Sequence, residues 1–312
     1  MTGRPHTTAR ELRAILTRPR HLQLTALNAL RATLPTLALD EAWNTRFGAG
    51  SLFDAWTRSS VVQGLYAANR ARISAHLGGR TPVRIIEAGG GDGRLWMNLL
   101  PTDTQGEVVV IDPMEEPATL VGAHLPSGVQ VTPRVQHVQD VEDWGHADLV
   151  VMSLTLHHVA GRDREERERH GLTGPGKLDV LQRARAALRA RHGMLLLNEA
   201  DIFCELALRS GDPYLRDRLA DSYIRRCMLS LLDDIDQRAD ADDDLRARWW
   251  AISRLWCLDQ LDAADVDAKD RDVYELDVLE WESLLHRAGF SVAHRTCTDA
   301  YGLFYQYVCT PQ

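Results

Sequence analysis

Cysteine is scarce in this chain, with five residues in 312: Cys204, Cys227, Cys257, Cys297 and Cys309. They are scattered, odd in number and form no C-x-x-C pair, which excludes an ordinary disulfide framework or zinc site and fits free thiols in a reducing compartment. No stretch approaches the ~20 apolar residues needed to span a bilayer, so no membrane partner is expected. Met1 to His21 is rich in Arg and Thr and lacks a continuous apolar segment; no signal peptide is expected, and a cytoplasmic location is. Positive charge is also in deficit: 36 Lys and Arg stand against 44 Asp and Glu, a net charge of −8. That balance argues against nucleic acid as the main partner. Arg58, Arg70, Arg72, Arg80 and Arg84 lie close in sequence, but helical spacing spreads them over several faces. Metal patterns are missing too, with no H-E-x-x-H, no carboxylate cage and no Cys/His cluster, and no metal is expected.

What the chain does have is 45% hydrophobic residues, enough for one large domain or for a core with a helical addition. Four zones follow. Residues 1–79 read as helices, Ala9–Thr17, Leu22–Leu34 and Leu52–Leu77, with a break at Asn44–Ser51, and form a cap or interface region. Residues 80–200 alternate strands with helices. The strands are Val83–Ala88, Glu107–Ile111, Val129–Val138, Ala147–Ser153 and Met194–Asn198. The helices are Gly93–Leu100, Glu115–Ala123 and Lys177–Arg191. Continuous apolar strands separated by helices indicate a parallel sheet covered on both faces. Residues 201–275 are helical and charged, with the acidic run Asp240–Asp244, and read as an insertion capping the sheet. Residues 276–312 return to the α/β core through helix Val278–Ala288, a C-terminal Gly289, and strands Ser291–Arg295 and Phe304–Cys309 that close as a hairpin at one sheet edge. The expected class is α/β: a Rossmann-like, mostly parallel sheet with a C-terminal antiparallel hairpin, a helical N-terminal region and a helical cap.

One turn carries the chemistry. Val83 to Arg94 reads V-R-I-I-E-A-G-G-G-D-G-R: a strand, a glycine-rich turn and a helix start. Glycine is required where the backbone bends sharply and a ligand approaches without a Cβ in its way. A dinucleotide site wants G-x-G-x-x-G, whose third glycine would fall on Arg94, a residue too bulky for close helix–strand packing. The pattern acidic-x-G-x-G-x-G is filled completely by Glu87, Gly89, Gly91 and Gly93. Asp112 follows the last glycine by 19 positions at the end of the second strand, where a carboxylate either meets ribose hydroxyls or caps the next helix.

On these residues the sequence resembles the class I S-adenosylmethionine-dependent methyltransferases, over roughly Pro82 to Asn198 and the C-terminal strands. The resemblance implies S-adenosyl-L-methionine as cofactor, held by Glu87, Gly89, Gly91, Gly93 and Asp112. It implies an acidic residue for the adenine amino group, Asp140 with Asp143 second, and the backbone of Val141 for a ring nitrogen. Ser153 and Leu154 would border the methionine moiety. The stretch Ser153 to Val159 contains His157 and His158, similar to the histidines many members carry there. Adjacent side chains point different ways, so at most one of the pair faces the substrate as a general base; the other reading is structural.

The expected function is methyl transfer to a small-molecule acceptor at O, N or C, in bacterial specialised metabolism. The alternatives are a cyclisation, pericyclic or aminocarboxypropyl reaction on the same cofactor, a non-catalytic binding protein, and, more weakly, a nicotinamide oxidoreductase. Glu199 and Asp201 follow the fifth strand on the substrate side unless they cap the next helix. Trp56, Tyr66, Trp249, Trp250, Trp256 and Tyr301 are either pocket wall or helix core. Ala160–Gly176 reads as a lid or a solvated loop. The N-terminal helices are open to capping the site, swapping between subunits or forming a homodimer interface.

Overall fold

The computed structural model describes residues 47–159, 175–189, 192–202, 220–253 and 276–312, with isolated positions between 11 and 29 and at 165. The expected helices Ala9–Thr17 and Leu22–Leu34, most of Ala160–Gly176, and Trp256 fall largely or wholly outside that set. In chain order the elements are α1 (Leu52–Thr57), α2 (Ser60–Leu77), β1 (Val83–Ala88), β2 (Gly106–Asp112), α3 (Glu116–Gly122), β3 (Val129–Val135) and β4 (Leu149–Ser153). They continue with α4 (Pro175–Ala187), β5 (Met194–Ala200), the π-helical turns Ala220–Met228, α5 (Leu229–Gln237), α6 (Asp243–Ile252), α7 (Val278–Arg287), β6 (Phe290–Cys297) and β7 (Phe304–Pro311).

The seven strands form one sheet in the order β3-β2-β1-β4-β5-β7-β6. The first five run parallel, and β7 enters antiparallel between β5 and β6. This is the Rossmann-like sheet with a closing hairpin at its edge that the sequence implies. Residues alternate between two cores. On one face Val83, Ile85, Val108, Val110 and Leu196 pack against Trp56, Leu65, Ile73, Leu231 and Trp249, so the N-terminal helices and the described part of the insertion share a core with the sheet. On the other, Ile86, Val109, Met152 and Leu197 pack against Val180, Leu181, Trp281 and Leu285. Burial on both faces explains why the central strands are unbroken apolar runs. Pro133 lies in β3, an edge strand, where a missing backbone donor is tolerated.

Several boundaries differ from the sequence expectation. The single helix Leu52–Leu77 is two, α1 and α2, because Ser59 is extended (φ −68°, ψ 155°) and the Ser60 amide donates to Asp234 Oδ2 at 2.7 Å instead of to a helical carbonyl. The helix Gly93–Leu100 is one 3-10 turn, Arg94–Trp96, followed by Asn98 at φ 55°. The Arg70 guanidinium takes the Arg94 and Leu95 carbonyls, at 2.5 and 3.0 Å, that a longer helix would use. The third strand stops at Val135, and Val138–Asp140 forms a 3-10 turn. Ala147 makes only an isolated bridge to Leu188 before β4 begins. Gly289 has φ 84° and ends α7 as expected. In the acidic run, Asp242 caps α6 by accepting from the Leu245 amide at 2.7 Å, with Asp243 and Asp244 in the first turn, where negative charge suits the helix dipole. Among the described residues no helix is long and apolar enough to cross a membrane.

Candidate active site

The site gathers where β1, β2, β4 and β5 end. Gly89, Gly91 and Gly93 have φ of 78°, 53° and 71°, a left-handed conformation that a side chain would strain. Each glycine also has its own neighbour. A Cβ on Gly89 would lie 2.2 Å from Thr155 Oγ1, one on Gly93 would lie 2.6 Å from the Leu120 backbone, and one on Gly91 would point at the Phe53 ring at 3.1 Å. Gly93 therefore supplies the close packing against α3 that a dinucleotide fold would take from the position of Arg94. Arg94 instead turns away and pairs with Asp54 and, at 3.4 Å, with Asp92.

Glu87 is 3% exposed and accepts from Trp96 Nε1 at 2.5 Å. Burial pushes its carboxyl up to about 8; the Trp96 hydrogen bond opposes that, and Asp112 and Asp92 add to it. Glu87 thus sits beneath the glycine turn, next to its floor. Asp112, 7% exposed, accepts from the Met114 amide at 2.9 Å and from the Gly90 amide. Burial holds its carboxyl above the ordinary value against those two hydrogen bonds. It joins the end of β2 to the turn after β1, the arrangement expected of a ribose contact and of a loop tie alike.

Asp140 and Asp143 are exposed on the loop after β3, and Val141 is buried. Arg183 Nη1 donates to the carbonyls of Gln139 and Val141 at 2.7 and 3.0 Å, and Trp144 Nε1 also donates to Val141 at 3.0 Å. The loop that would meet an adenine is therefore pinned from α4. Past β4, Leu154 has φ 55°, an uncommon value for a non-glycine residue and a form of strain found at functional sites. Thr155 Oγ1 fills the space Gly89 leaves and donates to the Ala88 carbonyl at 2.8 Å.

The two histidines separate clearly. Glu199, fully buried on β5, accepts from the Thr155 and Leu156 amides at 3.2 and 2.7 Å with Oε1. Its Oε2 lies 2.8 Å from His157 Nδ1. His157 is therefore oriented by a carboxylate, to which Nδ1 donates. His158 packs its ring 4.2 Å from that of His157. Although the residue as a whole is exposed, loss of solvent around the ring, then His157 and Lys177, hold its imidazole below the ordinary value. Among the described residues, Glu199 holds the turn that carries His157. Asp201 accepts from the Val278 amide at 3.0 Å and pairs with Arg226 at 2.9 Å, so it ties α7 and the π-helical turns to the end of β5.

Of the aromatic candidates, Trp56, Tyr66 and Trp249 belong to the core; Trp249 Nε1 donates to the Ala55 carbonyl at 2.7 Å, fixing α6 on α1. Tyr301 and Trp250 are half-buried, and Tyr301 Oη donates to Asp233 at 2.5 Å. Three residues were not singled out in the sequence. Thr155 and Phe53 meet the glycines from distant segments and leave no local pattern. Phe53 lies edge-to-face on Phe47 at 4.8 Å and brings the N-terminal region over Gly91. Asp54 was missed because its partners, Arg94 and Arg248, are 40 and 194 positions away.

No family model and no curated protein matches the chain. Solved structures do. Magnesium protoporphyrin IX methyltransferase from Synechocystis PCC 6803, with bound S-adenosylhomocysteine, is 15% identical over 83% of this chain and 94% of that one, with a TM-score of 0.46. The 1,6-didemethyltoxoflavin-N1-methyltransferase of Burkholderia thailandensis is 18% identical over 83% and 82%, at 0.44. A S-adenosylmethionine-dependent methyltransferase from Leishmania major is 12% identical over 88% and 81%, at 0.48. At such identities and scores, the chemistry of the site rests on its own residues.

Proposed function

We propose that the protein is an S-adenosylmethionine-dependent methyltransferase acting on a small-molecule acceptor. The observation that carries this reading is the left-handed turn of Gly89, Gly91 and Gly93 between the end of β1 and the strand-end carboxylate Asp112. Such a turn presents bare backbone to a ligand at the C-terminal edge of a parallel sheet, where open α/β sheets bind. On this reading Asp112 would meet the ribose, Asp140 and the Val141 backbone the adenine, and Ser153 and Leu154 would border the methionine moiety, as the resemblance implies. When bound, the sulfonium supplies the electrophilic methyl group.

The rest belongs to the chain. Glu199 orients His157 through Nδ1, which makes Nε2 the ring nitrogen assigned to take the proton of a hydroxyl or amine acceptor. The buried Glu199 carboxylate stabilises the imidazolium that forms, as the orienting acid of a catalytic triad does. Trp96 and Glu87 hold the floor of the turn, and the Phe53 ring lies where a side chain at Gly91 would point. Calorimetric titration with S-adenosylhomocysteine tests the reading: saturable binding is expected, and no heat and no thermal shift at millimolar nucleotide would refute it. Product analysis tests the reaction. Release of S-adenosylhomocysteine signifies methyl transfer, methylthioadenosine signifies attack on the aminocarboxypropyl arm, and intact cofactor beside a converted substrate signifies a cyclisation or pericyclic role.

A further inference from the structure

A row of uncharged hydrogen-bonding side chains crosses the sheet next to this site. Ser153, Asn198 and Gln306 are register partners on β4, β5 and β7. Adjacent strands lie about 4.8 Å apart, so the three side chains stand abreast. Leu196 and Ala200, two residues to either side of Asn198, belong to the core beneath the N-terminal helices, as do Val151 on β4 and Phe304 and Val308 on β7. Alternation along each strand therefore puts Ser153, Asn198 and Gln306 on that same face.

The row is unevenly satisfied. Gln306, 2% exposed, donates through Nε2 to Asn69 Oδ1 on α2 at 2.7 Å. Asn198 is fully buried, and neither its Nδ2 nor its Oδ1 has a hydrogen-bond partner among the described residues; Asn69 Nδ2 is also without one. A leucine would occupy similar volume without the penalty of burying an unpaired amide, and native interiors rarely leave both ends of one unmet. Ser153, half-buried, lies one strand closer to β1, at the position assigned to the methionine end of the cofactor. The unmet amide stands one strand from Ser153, on the side away from β1, which on the methyltransferase reading is the side away from the nucleotide.

We propose that Asn198 is the specificity-determining contact for the acceptor, and that this acceptor carries an adjoining hydrogen-bond donor and acceptor, as a carboxamide or lactam does. One face of such a group pairs with Nδ2 and Oδ1 together, the two-point geometry by which asparagine reads an adenine edge. An amide has no charge, so Asn198 does not offset the desolvation of a carboxylate or ammonium and selects against both. The proposal rests on the methyltransferase reading for its placement of the acceptor.

The test is a ligand-observed NMR titration of the full chain, with and without S-adenosylhomocysteine, using three matched probes: para-hydroxybenzamide, methyl para-hydroxybenzoate and para-hydroxybenzoate. The wild type is expected to bind the amide about tenfold more tightly than the ester or the anion, since a site built to hydrogen-bond a group rejects the analogue lacking it. Asn198→Leu should reduce that preference to less than about twofold, with unchanged affinity for S-adenosylhomocysteine and a thermal midpoint no lower than wild type. Asn198→Gln, which keeps the amide, should retain part of the preference and guards against a folding defect in the leucine variant. Equal binding of the three probes, binding of none, or a preference surviving in Asn198→Leu would overturn the assignment. Failure of S-adenosylhomocysteine to bind would sink the cofactor reading alone, because the probe preference is also measured without nucleotide.

Discussion

Glu87→Gln separates the electrostatics of the glycine turn from its shape. In the folded protein burial raises the Glu87 carboxyl from its ordinary 4.5 to about 8. Between those values the folded chain keeps a proton that the unfolded chain has lost. Folding then costs free energy that grows as pH rises from 4.5, levels off above about 8, and is absent below 4.5. At about 1.4 kcal/mol per unit, the interval of three and a half units sets a ceiling of about 5 kcal/mol. Relaxation of a buried site lowers that figure, and we expect a stabilisation of about 2–3 kcal/mol in the variant at pH 8. Glutamine keeps an oxygen for Trp96 Nε1 and adds no volume, so the gain should vanish at pH 4.5. Urea unfolding of both proteins at half-unit steps from pH 4.5 to 9 measures it, with the difference in free energy plotted against pH. A difference independent of pH, or a variant less stable than wild type at pH 8, would refute the reasoning. The same carboxyl adds a binding signature. A cationic sulfonium close to the turn favours ionised Glu87, so S-adenosylmethionine should release more protons on binding at pH 7 than S-adenosylhomocysteine. Calorimetry in buffers of different ionisation enthalpy reads this, and Glu87→Gln should abolish the difference.

Three further outcomes are expected. His157→Ala should lower kcat about 10²–10⁴-fold while leaving the Kd for S-adenosylhomocysteine within about twofold, and His158→Ala should change kcat far less; equal losses would show that the Glu199 contact does not select the base. Gly93→Ala should destabilise the fold by roughly 2–3 kcal/mol, because the methyl group meets the Leu120 backbone and φ of 71° strains a non-glycine residue; a midpoint within 1 °C of wild type would contradict the packing described. Asp54→Ala leaves Arg94 and Arg248 without their shared, nearly buried carboxylate and should cost about 3 kcal/mol in urea unfolding. Although burial opposes it, the Gly50 amide and the two arginines hold the Asp54 carboxyl below its ordinary 3.8, so this contribution is present above that pH and fades as pH falls further. A change below about 1 kcal/mol would show the pair to be solvent-screened.

Much of this molecule was legible in one dimension because its signals are local. Strands buried on both faces must be continuous apolar runs, and the turn after β1 must be glycine at alternate positions, since three residues there adopt left-handed backbone. Gly289 marks a helix end for an equally local reason. The sequence by itself therefore determined the parallel sheet, its closing hairpin and the place of the glycine turn. Only the tertiary structure decided which histidine is held, because Glu199 reaches His157 from β5 to the turn after the neighbouring strand β4, 42 positions away in the chain. It also decided that Arg94 serves the N-terminal helices, that helix 52–77 breaks at Ser59 for the sake of Asp234, and that Asn198 is left with an unmet amide. Each of these is a contact between segments far apart in the chain, and long-range pairing leaves no periodicity for a sequence to display.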